Sequence, residues 1–460
     1  MKTLQSQNHI QNQIHTVRSK TKTICETFGT CSTCLKITPA EIFERDGKVF
    51  MIKECCTREE VLIENDAEFY KRAFLPFVYD REFLQAKQLR SDIIDNFGED
   101  AASINISVTL KCNISCPICY NNFSPNFNAD KSPGFELPLE KLQSILSNHR
   151  HKIVNLMGGE PTLREDLPEI IKLVIKSGNT PVLITNGLRL TNKKYVRELK
   201  EAGLQIVSIS FDGFRDDIYE KLRGRKLLYE KLKALKNLKE EGMDVWLIPV
   251  IAKNVNEDQI PAMIKFALKA NRFIKGIYFF QLYTGKTGME EKITISDIVK
   301  IMERTVGIKV EQYIEEKTFR FNAYKLVKKL FSRNLSFLQS NQIYLKVEKG
   351  NFKPLFPLSL LRKLNLLLEN TVAIKRKSKA ILYLIKNMKL FANADMFKLA
   401  ILFVSSGFDF PNASIGFNSS NVLRIKTGGV ASPLNEDLER VSPTEELGSP
   451  EITRLGGKNC

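Results

Sequence analysis

The sequence predicts an α/β fold, a partial (βα)6 TIM-type barrel with a small N-terminal metal-knuckle domain and a helical C-terminal extension. Strand-like and helix-like segments alternate between residues 103 and 310, which is the pattern of parallel βα units. Cysteines cluster near the N-terminus and again just after the first predicted barrel strand. From residue 311 the chain becomes basic and leucine-rich with helical periodicity, which predicts the extension.

Six strands and the helices between them make an incomplete barrel, with six units instead of eight. The predicted strands span residues 104–110, 153–157, 181–185, 205–211, 245–250 and 276–281. The predicted helices span residues 139–146, 167–176, 193–202, 229–241 and 257–268. In such barrels the chemistry collects at the carboxyl ends of the strands.

Length, cysteine count and charge narrow the class of protein. With 460 residues the chain has room for two or three domains. The nine cysteines are odd in number and clustered, and residues 1–19 lack a signal-peptide pattern, which favours a reducing cytoplasm and metal ligation over disulfides. The net charge of +17 favours an anionic partner, whether nucleic acid, anionic membrane or acidic substrate.

Three cysteines follow the first predicted barrel strand in one short loop: Cys112, Cys116 and Cys119. Soft thiolates on so short a tether can bind one iron-sulfur cube. Since a cubane has four irons, three cysteines leave one iron open for a reaction. The alternatives are a zinc site, which calls for a fourth ligand, or buried structural thiols.

Small or polar residues also end the second, third and fourth predicted strands. They are Met157-Gly158-Gly159-Glu160-Pro161, Thr185-Asn186-Gly187 and Ser210-Phe211-Asp212-Gly213. Each motif alone is more often only a turn. Because the carboxyl ends of barrel strands meet at one edge, the motifs and the cysteine loop are expected to form one site.

The cysteine spacing, followed by these motifs in this order, closely resembles the radical S-adenosylmethionine (radical SAM) superfamily. The resemblance implies a 4Fe-4S cluster held by Cys112, Cys116 and Cys119, with S-adenosylmethionine (SAM) chelating the open iron. It also implies reductive cleavage of SAM to a 5′-deoxyadenosyl radical, which takes a hydrogen from a C–H bond of the substrate.

The resemblance implies cofactor contacts at the second and third strand ends. Gly158 and Gly159 would let backbone approach the amino group of SAM, and Glu160 would hold the adjoining turn or accept a hydrogen bond. Thr185 and Asn186 would face the methionyl end or the ribose.

Further contacts are expected beyond these strands. Ser210 and Asp212 would meet ribose hydroxyls or the cofactor carboxylate, and Tyr120 begins a segment that would hold the adenine. Arg223 has two interpretations, as a partner of the cofactor carboxylate or as a solvated helix cation.

The N-terminal cysteines predict a zinc-ribbon or rubredoxin-like knuckle at residues 23–67. Its candidate ligands for zinc or a second iron site are Cys31, Cys34, Cys55 and Cys56, with Cys25 as the alternative fourth ligand. The expected second Cys-x-x-Cys or Cys-x-x-His pair is incomplete, because Arg58 stands where its last ligand would be. Unliganded thiols in a relic of such a site are the alternative.

The segment from Cys31 to Phe50 is similar to the leader domain of the tetraether-lipid-synthase and methanopterin-methylase group of radical SAM proteins. The segment from Tyr278 to Gln281, followed by Thr284-Gly285, resembles their sixth strand. No cysteine stands between positions 119 and 460, so auxiliary clusters in the C-terminal half cannot be built from this chain.

The predicted domains divide the whole chain. They are a flexible N-terminus at 1–22, the knuckle at 23–67, a connecting segment at 68–102, the barrel at 103–310, a basic helical region at 311–427 and a disordered tail at 428–460. Charges interrupt every apolar run before it reaches bilayer-spanning length, so no transmembrane helix is expected.

The functional hypothesis is a cytoplasmic radical SAM enzyme acting on a hydrophobic or anionic small molecule, such as a lipid. It would need a reductant such as flavodoxin or ferredoxin, and its basic C-terminal part would allow peripheral contact with an anionic membrane. The alternative enzymes are similar to molybdenum-cofactor protein A, or modify a peptide or tRNA. The alternative of another class is a non-catalytic metal- and nucleic-acid-binding protein, which the ordered strand-end motifs do not favour.

Overall fold

The structure is a computed structural model, and it describes residues 21–30, 37–56, 58–75, 103–119, 135–147, 153–282, 291–331, 342–348, 351–387, 389 and 422–427. Two sheets organise these residues. One is a small N-terminal sheet, and the other is a large sheet that carries the predicted barrel strands.

The N-terminal sheet is a four-stranded antiparallel meander. Its strands, in spatial and chain order, are β1 (Lys22–Thr30), β2 (Ile37–Arg45), β3 (Lys48–Glu54) and β4 (Arg58–Glu64). The predicted turn at Asp46-Gly47 joins β2 to β3, and both residues have positive φ, 51° and 74°. Asp and Gly tolerate that conformation, which explains why a tight turn forms there.

The six predicted barrel strands form side by side and parallel. They are β5 (Ser103–Thr109), β6 (Ile153–Gly158), β7 (Thr180–Thr185), β8 (Ile206–Ile209), β9 (Asp244–Leu247) and β11 (Ile274–Gln281). The fifth predicted strand is interrupted, because a short strand β10 (Val250–Ile251) separates from β9 and pairs only with β11. Pro249, which has no N–H to donate, stands at this break.

Helices cover the outer face of these strands at nearly the predicted positions. In chain order the described helices up to residue 269 are α1 (Ala67–Ala73), α2 (Leu139–Ser147), α3 (Leu167–Lys176), α4 (Lys193–Glu201), α5 (Asp216–Arg223), α6 (Leu228–Glu240) and α7 (Ile260–Lys269). The sequence pattern did not predict α5, which ends at Gly224 in the left-handed conformation. This helix carries Arg223 into the site described below.

Burial alternates along several of the barrel strands. On β6, for example, Val154 and Leu156 are fully buried in the main core, whereas Asn155 between them is partly exposed. Since side chains alternate along a strand, the core residues face the helices and the alternate residues face the barrel interior.

The C-terminal region departs from the expected all-helical extension. It contains α8 (Ile295–Val306), α9 (Val310–Phe331), α10 (Leu358–Ala373) and α11 (Lys377–Lys386), but also β12 (Gln342–Glu348), β13 (Asn351–Pro354) and β14 (Val422–Thr427). Strand β14 pairs parallel with β11, and the β12–β13 hairpin continues the sheet beyond β14. Helical periodicity dominates the surrounding sequence, so these short strands gave no comparable signal.

The N-terminal sheet docks against the first turn of α8. The buried Glu64 carboxylate accepts hydrogen bonds from the Ser296 hydroxyl (2.6 Å) and the Asn65 N–H (2.8 Å). The Asn65 amide donates to Asp297 (2.7 Å), which also caps α8 together with Thr294. These contacts fix the knuckle domain to the barrel.

Among the helices that the structure describes, none combines the length and apolar character needed to span a bilayer.

Candidate active site at the carboxyl ends of the strands

The predicted cysteine loop directly follows β5, at the carboxyl edge of the barrel. The Cys119 N–H donates to the Cys116 carbonyl (3.1 Å), which turns the chain between the second and third cysteines. Cys116 is buried, Cys119 is half-buried and Cys112 is exposed. The loop therefore presents its thiols from the protein edge toward the space above the strands.

The segment Leu222-Arg223-Gly224 clamps this loop. Leu222 and Ile218 of α5 pack against Ile118, which lies between Cys116 and Cys119. Gly224 approaches so closely that a Cβ there would lie 3.1 Å from the Ser115 carbonyl oxygen. A left-handed helix end and this close approach both favour glycine at position 224.

The two glycines that end β6 pack against the start of the cysteine loop. A Cβ on Gly158 would lie 2.1 Å from the Thr109 carbonyl oxygen, and one on Gly159 would lie 2.3 Å from that of Lys111. The Gly159 N–H donates to the Thr109 carbonyl (2.8 Å). Close backbone packing therefore explains these glycines before any cofactor contact is considered.

Glu160 ties the ends of β6 and β7 together. Its buried carboxylate accepts hydrogen bonds from the Thr162 hydroxyl (2.5 Å), the Thr185 hydroxyl (2.6 Å) and the Asn186 N–H (2.7 Å). In this geometry Glu160 holds the adjoining turn, which is one of its two expected roles. Because its oxygens are used by protein donors, Glu160 positions the strand ends.

Asn186 links the third strand end to the cysteine loop. Its side-chain amide donates to the Asn113 side-chain oxygen (2.7 Å), between the first and second cysteines. Its own backbone carbonyl accepts from Lys231 (2.5 Å). The cysteine loop and the Thr185-Asn186-Gly187 motif are therefore one connected unit.

Lys231 is the site residue that the sequence did not reveal. This fully buried ammonium on α6 donates to the Asn186 carbonyl (2.5 Å) and to the Ser210 hydroxyl (2.8 Å), joining the ends of β7 and β8. Burial lowers the pKa of Lys231 to about 8, with the Arg223 charge acting in the same direction. Because α6 contains several other lysines, the sequence gives no indication that this one is buried.

Asp212 and Arg223 form a buried ion pair. Arg223 Nε and Nη2 donate to the two Asp212 carboxylate oxygens (2.8 and 2.9 Å). The Arg223 side chain is only 12% exposed, so the interpretation as a solvated helix cation is wrong. The expected contacts of Asp212 and Arg223 with the cofactor stay predictions.

The ion pair also reaches the cysteine loop. The Arg223 guanidinium lies close to the Cys116 thiol. Burial raises the pKa values of the Cys112 and Cys116 thiols, whereas the Arg223 charge acts in the opposite direction on Cys116. Burial opposes ionisation of Asp212, but the charge and hydrogen bonds of Arg223, the Lys231 charge and the Val250 N–H together lower the pKa of that carboxyl.

The donor set of the loop fits an iron-sulfur cluster. The charges of Cys116 and Cys119 help to raise the pKa of the Cys112 thiol, and that of Cys119 helps to raise the pKa of Cys116, so the three thiols lie near each other. In the part of the chain that the structure describes, no three Cys, His, Asp or Glu side chains are grouped as ligands of a single ion. A cubane instead needs its three thiolates on three separate irons, and a soft donor set suits it.

The knuckle cysteines divide into two sets. Cys55 and Cys56 are exposed directly after β3, at the same edge as the ends of β1 and β2 that flank residues 31–36. Cys25 is buried within β1, opposite Ile42, away from that edge. The topology favours Cys56 over Cys25 as the fourth ligand. Cys31, Cys34 and the predicted adenine-contact residue Tyr120 lie outside the described residues.

Two family models match the chain in the expected order. Residues 106–267 match the model described as "Radical SAM superfamily". Residues 18–64 match the model described as "HMPTM N-terminal zinc ribbon domain". The matched segments contain the cysteine loop and the N-terminal knuckle, respectively.

The chain is also similar to named proteins. It is 36% identical over 299 residues to 7,8-dihydro-6-hydroxymethylpterin dimethyltransferase of Methanocaldococcus jannaschii, covering 60% of this chain and 58% of that protein. It is 32% identical over 183 residues to the probable GTP 3′,8-cyclase of Pyrococcus abyssi, covering 40% of this chain and 58% of that protein. The chain thus spans less than two thirds of the length of either relative.

Among solved structures, Streptococcus suis SuiB bound to S-adenosylmethionine superposes with a TM-score of 0.38 at 15% identity, covering 56% of this chain and 66% of that one. This likeness is too distant to bear on function.

Proposed function

We propose that the chain is an enzyme that reductively cleaves SAM, because residues 106–267 match the model described as "Radical SAM superfamily". Cys112, Cys116 and Cys119 would hold a 4Fe-4S cluster. When bound, the cluster and SAM supply a one-electron cleavage that yields a radical able to take hydrogen from a C–H bond.

The observation that carries the proposal is the continuous network around the cysteine loop. Asn113 contacts Asn186, and Arg223 contacts both Cys116 and Asp212. Glu160 and Lys231 then connect the ends of β6, β7 and β8 behind that loop. Such a network holds the cofactor-binding edge rigid, which is what precise positioning of reacting groups requires.

We propose fewer residues in direct contact with the cofactor than the sequence predicted. Glu160 and Asp212 serve protein donors, so they would act by positioning. The Ser210 hydroxyl accepts from Lys231 and keeps its hydrogen to donate, which suits a ribose oxygen. Backbone near Gly158 and Gly159 would contact the amino end of SAM.

The N-terminal zinc ribbon domain would bind a structural zinc ion through Cys31, Cys34, Cys55 and Cys56. A four-stranded sheet of this size buries little apolar surface alone. Metal binding and docking through Glu64 would together stabilise it. Removal of the metal should therefore destabilise this domain and leave the barrel folded.

For the substrate, we favour a small heteroaromatic molecule of the pterin type, because the relative named as a pterin dimethyltransferase shares 36% identity over 299 residues. A flavodoxin- or ferredoxin-type protein would deliver the electron. The lipid hypothesis has one supporting observation, the exposed apolar side chains Ile381, Leu382 and Ile385 on the lysine-bearing helix α11. Contact with an anionic membrane and a cytoplasmic location stay predictions.

Anaerobic reconstitution with iron and sulfide tests the enzyme proposal. We expect an electron paramagnetic resonance signal of the reduced protein that shifts on adding SAM, and formation of 5′-deoxyadenosine with dithionite. A variant with Cys112, Cys116 and Cys119 all changed to Ala should lose both, whereas Cys460→Ser should keep both. A fully loaded cluster that yields no 5′-deoxyadenosine, or zinc without iron in that loop, would contradict the proposal.

The same preparation separates the alternative classes. Stimulation of 5′-deoxyadenosine formation by a tRNA pool or a peptide, but not by pterins or a lipid extract, would reassign the substrate. Nucleic-acid binding that falls steeply with salt and survives in the triple-Ala variant would favour the non-catalytic alternative.

A further inference from the structure

The barrel interior has a chemically distinct wall on β9, β11 and β14. On β9, Val245 and Leu247 are fully buried in the core, whereas Trp246 between them is partly exposed. On β11, Phe279 is likewise fully buried, whereas Tyr278 and Phe280 on either side of it are partly exposed. Strand alternation therefore turns these three aromatic side chains toward the interior.

Gly276 allows the indole to lie flat on this wall. Trp246 and Gly276 are paired in register, and a Cβ at position 276 would lie 2.5 Å from Trp246 Cζ3. Any side chain there would push the ring away. The indole therefore covers the backbone of the neighbouring strand and forms the lower part of an aromatic surface.

A cation completes the wall. The Tyr278 and Phe280 rings are stacked with centroids 4.0 Å apart. Lys426 of β14 is the register neighbour of Tyr278, and its Nζ lies 4.2 Å from the Tyr278 ring centroid. We call Trp246, Tyr278, Phe280 and Lys426 the aromatic wall.

The aromatic wall reaches the candidate active site. Phe280 pairs with Val250 of β10, and the Val250 N–H donates to Asp212 (2.9 Å). Asp212 in turn holds Arg223, which contacts Cys116. A molecule lying on the wall would therefore have one edge near the cysteine loop.

We propose that the barrel interior binds a planar heteroaromatic substrate that carries a negative charge, with its ring on the aromatic wall and its anionic group at Lys426. The inference rests on the proposed function, because it assigns the substrate class of that same site. Aromatic faces favour stacking with a flat ring, and a lysine beside them favours an anion. A hydrocarbon chain would use neither the flat ring faces for stacking nor the cation.

The test exploits the fact that Trp246 is the sole tryptophan of the chain. Tryptophan emission of the full-length, cluster-loaded protein is titrated with 6-carboxypterin, with the uncharged 6-hydroxymethylpterin and with succinate. We expect saturable quenching by both pterins, about tenfold tighter for the carboxylate, and none by succinate. Absence of saturable quenching by either pterin would overturn the proposal.

Two variants distinguish the contribution of the Lys426 charge to binding from that of stacking on the Tyr278 ring. Lys426→Gln should remove the preference for 6-carboxypterin and leave 6-hydroxymethylpterin affinity unchanged, whereas Tyr278→Leu should weaken both about fivefold or more. Lys379→Gln on the exposed face of α11 is the matched control and should change neither. A 6-carboxypterin affinity that is the same in the Lys426→Gln variant as in the unaltered protein would overturn the charge assignment.

Pterin binding and 5′-deoxyadenosine formation are measured separately, so failure of the substrate assignment can be told from failure of the proposed function. Pterin binding without 5′-deoxyadenosine formation would contradict the enzyme proposal and leave the binding site intact. Formation of 5′-deoxyadenosine without pterin quenching would contradict the substrate class alone. Circular dichroism of each variant shows whether it is folded, and if Tyr278→Leu is misfolded the Lys426→Gln comparison decides.

Discussion

At the scale of single residues, Arg223 has partners that its motif did not predict. Its position after the fourth strand marked it as part of the site, but the pattern offered only a cofactor contact or a solvated cation. The structure gives it Asp212 and Cys116 as partners. The sequence does not predict that pairing, because only the tertiary structure brings Arg223 of α5 next to Asp212 at the end of β8.

Arg223→Met should destabilise the protein by about 3–5 kcal/mol, because it leaves the Asp212 carboxylate buried without a partner. The double variant Asp212→Asn with Arg223→Met should regain part of that loss. Urea unfolding midpoints measure both. Arg225→Met, at a side chain 53% exposed, is the matched control and should cost less than about 1 kcal/mol. Equal losses for Arg223→Met and Arg225→Met would refute the buried-pair explanation.

Lys231→Met should weaken SAM binding about tenfold, because Asn186 and Ser210 lose the ammonium that fixes their positions. Isothermal titration of SAM into the cluster-loaded protein measures this. Lys233→Met on the exposed side of the same helix should leave the affinity unchanged. An unaltered affinity in a folded Lys231→Met variant would show that the lysine only fills the core.

At the scale of elements, the contact between β4 and α8 carries a titratable group. Burial raises the pKa of Glu64 to about 7. Because the folded state holds this proton to higher pH than the unfolded chain does, the group's contribution to stability is full below the unfolded pKa of 4.5 and is lost as pH rises through 7. The docking of the knuckle domain is therefore expected to weaken in mildly alkaline solution.

Glu64→Gln should remove this part of the pH dependence. Between pH 4.5 and pH 8 the unaltered protein should lose about 3 kcal/mol from this group, and the variant should not. The difference between their unfolding free energies across that range gives the contribution of Glu64 to the pH dependence. The contributions of other groups, including the buried Lys317 that Glu64 faces, are subtracted in this comparison. Glu169→Gln at an exposed position of α3 is the control and should follow the unaltered protein. Parallel curves for Glu64→Gln and the unaltered protein would contradict the assignment.

At the scale of the whole molecule, the extra strands make the sheet more than a six-stranded array. Strand β14 lies between β11 and β12, so within the described sheet the β12–β13 hairpin is joined to the barrel strands through β14. Six residues near the far end of the chain thus join the C-terminal region to the site-bearing sheet. This arrangement also supplies Lys426 to the aromatic wall.

Truncation after residue 421 should therefore lower the melting temperature sharply and expose the edge of β11. Truncation after residue 427 removes only the predicted disordered tail and should leave melting unchanged. Differential scanning calorimetry and light scattering compare the two, since an exposed strand edge promotes aggregation. Similar melting of both truncated proteins would mean that β14 contributes little to the sheet.

The sequence alone determined the elements that depend on local pattern. The six barrel strands, the intervening helices and the cysteine loop follow from alternation, periodicity and residue spacing, all of which are properties of neighbours along the chain. The order of strand-end motifs located the site because parallel strands bring their carboxyl ends to one edge.

Only the tertiary structure decided which side chains meet. Lys231, the Asp212–Arg223 pair, the insertion of β14 beside β11 and the aromatic wall all join residues far apart in the chain. Their energies come from burial and from partners that exist only after folding, so no local pattern encodes them.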